Sequence, residues 1–79
     1  MAFLEIHDGS PDNSLMGIVK SLDYKYQAEM WIDETKEHEG TDGAPVRWDL
    51  REGSKEEPGQ VVHRWRRQPD GEILEVPVL

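Results

Sequence analysis

A turn narrows the fold of this chain more than any other feature. Gln68-Pro69-Asp70-Gly71 combines a proline that presets φ with an Asp-Gly pair that tolerates positive φ. Before it, Val61, His63 and Trp65 alternate with Val62, Arg64 and Arg66; after it, Leu74, Val76 and Val78 share one face. This predicts a β-hairpin, with Pro77 marking a sheet edge or strand end.

The same alternation recurs upstream. Ala2 to Ile6 predicts a short strand with Leu4 and Ile6 on one face and Phe3 and Glu5 on the other. Residues 7–14 read as a loop, after which Asn13 or Ser14 caps a predicted short helix from Leu15 to Lys20. Gly17 weakens that helix by about 1 kcal/mol relative to Ala. Over 22–32 the apolar residues Leu22, Tyr24, Tyr26, Ala28, Met30 and Ile32 alternate strictly. That pattern favours a half-buried strand. A helical stripe, Leu15, Val19, Leu22, Tyr26 and Met30, is the rival, and Gln27-Ala28-Glu29-Met30 favours it. Both stay open, with the strand preferred for its Tyr, Trp and Ile. Residues 39–43 form a loop, Val46, Trp48 and Leu50 form one face of a further strand, and 53–60 form a polar turn.

These elements predict an α+β, mainly antiparallel β fold: one small domain over residues 1–79, a single sheet of four or five strands and one short helix. The expected core is Leu4, Ile6, Leu22, Tyr24, Tyr26, Met30, Ile32, Val46, Trp48, Leu50, Val61, Leu74, Val76 and Val78. Trp31, Trp48 and Trp65 are spaced evenly, as a meander with the indoles on neighbouring strands would place them. Trp31 is out of phase with Met30 and Ile32, so on the strand reading it faces outward.

Charge narrows the function. The chain holds 17 acidic and 9 basic residues, for a net charge of −8 with neutral histidines. That charge disfavours direct nucleic-acid binding and anionic membranes and attracts basic proteins. The chain has no cysteine, which excludes disulfides, thiolate metal sites and a cysteine nucleophile. No apolar run is long enough to span a bilayer, and the N-terminus lacks the pattern of a secretory signal, so a cytoplasmic location is expected, in a host cell if the protein is viral.

No residue pattern supplies chemistry. The histidines at 7, 38 and 63 lack metal-ligand spacing, no serine lies in a nucleophile elbow and no glycine loop cradles phosphate. Neither a metal nor a cofactor is expected. Carboxylate pairs abound, but so small a domain has little room for a cleft that would shift one. The protein is read as a non-enzyme. Arg64, Arg66 and Arg67 form the one basic spot, read as an ion-paired strand facing acidic segments of the same chain.

The candidate binding residues lie where acids are densest: Glu29, Trp31, Asp33, Glu34, Glu37, Glu39 and Asp42, extended by Asp49, Glu52, Glu56 and Glu57. In size, charge and lack of cysteine the chain resembles small acidic phage proteins, including DNA mimics and anti-CRISPR proteins. That resemblance aligns no motif. It implies a viral inhibitor that offers carboxylates where a host nucleic-acid-binding complex expects phosphates. An immunity protein or antitoxin that neutralises a basic toxin fits the same features. So does an oligomerising assembly module, such as a homodimer joined through strand edges.

Overall fold

The computed structural model describes residues 1–9, 14–40 and 43–78. Five strands, β1 (Ala2–His7), β2 (Leu15–Leu22), β3 (Arg47–Gly53), β4 (Pro58–Arg67) and β5 (Ile73–Val76), form one antiparallel sheet in the order β2-β1-β3-β4-β5. One helix, α1 (Lys25–Thr35), covers one face. This is the α+β, mainly antiparallel fold expected from the sequence.

The helix, however, lies elsewhere than predicted. Residues 15–22 form a strand, and the helix falls within the segment read as a strand. Ile18 and Val19 suit a sheet, Gly17 is a poor helix residue, and β1 supplies a partner strand, with Leu4 opposite Val19 and Ile6 opposite Gly17. Topology then decides the next segment. β2 and β3 both pair antiparallel with β1, so they run parallel to each other on either side of it. Parallel strands need a crossover of a dozen or more residues, usually helical. α1 is that crossover.

The core follows from the helix. Ala28, Ile32 and Thr35, spaced four and three apart, are its buried residues. They pack on Leu4, Ile6, Leu22, Trp48, Leu50 and Trp65. Tyr24, Tyr26 and Met30, expected in the core, are exposed, because a 3.6-residue period scatters even-numbered positions around the axis. Leu74 and Val78 are exposed as well: strand alternation sets Leu74 and Val76 on the sheet face that no helix covers, opposite Arg66 and Arg64. Trp48 and Trp65 face each other across β3 and β4 on the covered side, whereas Trp31 lies on the helix, so the even tryptophan spacing marks no meander.

The β4–β5 hairpin forms as expected. Gly71 has φ 91°, Gln68 N–H donates to the Glu72 carbonyl at 2.7 Å, and Asp70 Oδ1 accepts from Glu72 N–H. At the β3–β4 turn Gly53 has φ 86°, and a Cβ there would lie 2.4 Å from the Glu57 carbonyl oxygen, so only glycine fits.

Trp48 pins helix to sheet. It is 0% exposed, and its Nε1–H donates to Thr35 Oγ1 at 3.1 Å. The Thr35 hydroxyl in turn donates to the Trp31 carbonyl at 2.7 Å. The Arg67 guanidinium lies 5.9 Å from the Trp48 ring centroid and donates to the carbonyls of Pro45 and Lys36. Replacing Thr35 by Val strands a buried indole N–H, a loss of about 1–3 kcal/mol. Urea denaturation should show that loss for Thr35→Val and near-wild-type stability for Thr35→Ser.

Candidate protein-binding face

The helix begins where Gln27 reaches back. Its Oε1 accepts from Asp23 N–H at 2.8 Å and Tyr24 N–H at 2.9 Å, satisfying backbone donors that the first turn leaves open. Just upstream, Ser21 at φ 61° sits at the irregularity of β2 between the Leu4–Val19 and Ala2–Leu22 pairs. At the other end the Lys36 amide donates to the Ile32 carbonyl at 2.9 Å.

With only Ala28, Ile32 and Thr35 turned inward, the rest of the helix faces outward. Tyr26 and Met30 are 57% and 62% exposed, and Trp31 is 44% exposed. Tyr24 stacks on Tyr26, with ring centroids 5.7 Å apart. Around these apolar groups stand Glu29, Asp33 and Glu34, with Glu37 and Glu39 beyond the helix end, all exposed. The structure thus brings six of the seven expected binding residues onto one helix and the segment that leaves it; Asp42 lies outside the described residues. Of the further candidates, Glu52, Glu56 and Glu57 are exposed at the β3–β4 end. Asp49 is 1% exposed and buried among arginines, so it is no contact residue.

The charges on α1 run against its dipole. The N-terminal half-charge of a helix favours acids and the C-terminal half-charge favours bases. Here Lys25 opens the first turn, which has no acid, and Asp33 and Glu34 sit in the last turn, which has no base. Part of this is relieved. Lys25 Nζ lies 2.6 Å from Glu75 Oε1, Lys36 Nζ donates to Asp33 Oδ1 at 2.7 Å, and Arg67 caps the Lys36 carbonyl. The Asp33 carboxylate holds the Lys36 ammonium above its ordinary pKa, and Glu75 does the same for Lys25. Glu29, Glu34, Glu37 and Glu39 make no hydrogen bond or ion pair within the described residues.

A groove flanks the helix on its Glu29 and Asp33 side. Ile32, Trp65 and Ile73 line it with Glu29, Asp33, Lys36, Gly71 and Glu72. Its lining is apolar at Ile32, Trp65 and Ile73 and carries three carboxylates with one ammonium, that of Lys36. Sequence reasoning missed Trp65, Glu72 and Ile73 here, because only folding brings the β4–β5 hairpin beside α1.

Two other polar clusters arise only in the fold. His63 Nδ1 lies 2.9 Å from Glu75 Oε2, completing a Lys25–Glu75–His63 chain from helix to sheet edge. Hydrogen bonds from Lys25 first and His63 second hold the Glu75 carboxyl below its ordinary value. On the uncovered sheet face, Glu5, His7 and Asp49 place three ligand atoms within 4.8 Å of one another. The histidine and carboxylates lie on two neighbouring strands, which is why spacing along the chain gives no sign of them. Their carboxylates already serve arginines. Arg64 donates to both Asp49 oxygens at 2.8 and 3.2 Å, Arg47 Nε lies 3.3 Å from Asp49, and Arg51 Nε donates to Glu5 at 3.1 Å. Three guanidiniums against two carboxylates oppose a bound cation. Arg64, held above its ordinary pKa by the bond to Asp49, is ion-paired as the sequence suggested. Arg67 serves helix and loop carbonyls instead, and Arg66 is exposed.

No family model matches the chain, and neither does any curated protein or solved structure.

If the charges at the helix end oppose stability, neutralising them stabilises. Glu34→Gln and Glu37→Gln should each raise unfolding free energy by about 0.3–1 kcal/mol at low ionic strength, a gain that salt diminishes. Urea titrations at two salt concentrations check this. Glu75 gives a pH signature of opposite origin. Its pKa is depressed in the folded state, so its contribution is present above the ordinary value of 4.5 and is lost as pH falls through that value and below. Glu75→Gln should therefore lose less stability than wild type between about pH 6 and about pH 3, as read from urea midpoints.

Proposed function

We propose that the protein is a non-enzymatic binding domain whose outer α1 face docks on a basic partner, in the manner of an acidic inhibitor of a nucleic-acid-binding complex. The observation that carries this reading is the composition of α1. Its outer surface holds Tyr26, Met30 and Trp31, ringed by carboxylates placed at the end of the helix least suited to them. Departures from local stability rules of this kind concentrate at functional sites. An apolar centre with a charged rim is the anatomy of a protein interface.

The geometry supports mimicry of a phosphate backbone. A helix rises about 1.5 Å per residue, so Glu29 and Asp33 set carboxylates about 6 Å apart along α1, and Glu34, Glu37 and Glu39 follow at its end and beyond it. A groove lined with Lys and Arg for nucleic acid would meet these carboxylates with the contacts it otherwise makes to phosphates. The groove at Trp65 would receive one basic side chain from the rim of such a partner. An immunity protein facing a basic toxin would use the same face. Among the described residues no helix is long and apolar enough to cross a membrane.

The test is capture from lysate on immobilised protein, followed by affinity measurement with the partner that mass spectrometry identifies. Glu34→Lys, Glu37→Lys and Glu39→Lys together should weaken binding at least tenfold and leave the fold intact by circular dichroism. Trp31→Ala should cost more than about 1 kcal/mol, as a central interface aromatic does. A captured nucleic-acid-binding protein should also lose its nucleic acid to competition by this protein. Affinity indifferent to all four substitutions removes the helix from the interface.

A further inference from the structure

The uncovered face of the sheet carries the opposite charge. Among the described residues of the strands, Arg47, Arg51, Arg64 and Arg66 project from β3 and β4 on this side, against Glu5 and Asp49. Arg47 stands directly opposite Arg66, an arrangement that disfavours strand pairing by itself. Asp49 bridges Arg47 and Arg64, but Arg66 is exposed and its guanidinium makes no ion pair or hydrogen bond within the described residues. Next to it, Leu74 is exposed opposite Arg66 on β5.

This face therefore has four guanidiniums against two carboxylates, with aliphatic surface between them, in a chain of net charge −8. The outer surface of α1 and the segment after it are its complement: beside exposed Tyr26, Met30 and Trp31 stand four carboxylates, Glu29, Glu34, Glu37 and Glu39, that make no hydrogen bond or ion pair within the described residues. The helix packs on one side of the sheet and the arginines stand on the other, so one copy cannot join its own two faces. Two copies can. We infer that the chain associates with itself head to tail, the acidic helix face of one copy resting on the arginine-bearing sheet face of the next.

Two properties favour a second copy over nucleic acid on this sheet face. The face exposes no aromatic side chain on which a base could stack, Phe3 being buried, and the whole-molecule charge repels phosphate. Whole-molecule repulsion between copies is screened over about 8 Å at physiological ionic strength, whereas contacts within the interface are closer than that. A contact of this kind joins two different surfaces, so it propagates into rings or filaments unless rotation closes it. It goes beyond the binding of a basic partner proposed above and has a regulatory consequence: self-association covers the helix, and a foreign basic partner must displace the neighbouring copy.

Sedimentation velocity over a concentration series at about 0.15 M salt tests this. Wild type should show weight-average mass rising with concentration and falling back to the monomer in about 1 M salt. Arg66→Glu should weaken association at least tenfold, as should Glu34→Lys with Glu37→Lys. An equimolar mixture of the two variants should recover heteromers, since the mixture restores one wild-type contact; no contact between identical patches behaves so. Recovery also shows that both variants are folded. A monomer at all concentrations overturns the inference, as does an oligomer indifferent to these reversals, which would place the contact at a strand edge. Arg66→Glu keeps the helix face intact and frees it of the neighbouring copy, so capture of a basic partner there should be retained or strengthened while self-association is lost, and the two readings fail separately.

Discussion

The fully buried Trp48 is the point on which the structure depends. A buried indole N–H must find an acceptor, and Thr35 on the helix supplies it. The same hydroxyl bonds the Trp31 carbonyl, so the acceptor is fixed by the helix it anchors. Arg67 lies over the indole and caps the Lys36 carbonyl, where the helix ends. Sheet, helix and the exit from the helix thus share one polar link set inside an apolar core. It fixes the rotation of α1 about its axis, and rotation decides which side chains face solvent.

That fixed rotation ties the fold to the proposed function. With Ala28, Ile32 and Thr35 inward, none of the described residues buries Tyr26, Met30 or Trp31. The carboxylates around them oppose the helix dipole, and Lys36, Lys25 and Arg67 offset part of the cost from nearby positions. A surface selected for solubility alone could place the same charges at the N-terminal end and stabilise the helix. The placement makes sense if a partner's cations complete it.

The two faces of the sheet solve different problems. One is covered by a helix and packs as an apolar core. The other has no second layer among the described residues and is covered by its own arginines, with Asp49 buried beneath them. The result is a charge asymmetry across the sheet that the net charge of −8 conceals. Glu5, His7 and Asp49 have the residue types of a metal site, yet the guanidiniums around them supply the positive charge that an ion would bring.

Part of this was legible in the sequence. The Pro-Asp-Gly turn fixed the β4–β5 hairpin, because turn chemistry acts over a few residues and needs no distant partner. The alternation at Val46, Trp48 and Leu50 fixed β3, and charge density marked the acidic segment. Tertiary structure decided the rest. The alternation over 22–32 is as regular as any strand in the chain, yet that segment is helical because β2 and β3 flank β1 in parallel, and their connection must cross a sheet face. Which residues meet at a face follows from the same event. Trp65, Glu72 and Ile73 come beside α1, and Arg47 comes opposite Arg66, only once strands distant in sequence are paired. Local chemistry determines turns and the period of apolar residues; long-range pairing determines which of two competing periods a segment adopts and what it then presents to a partner.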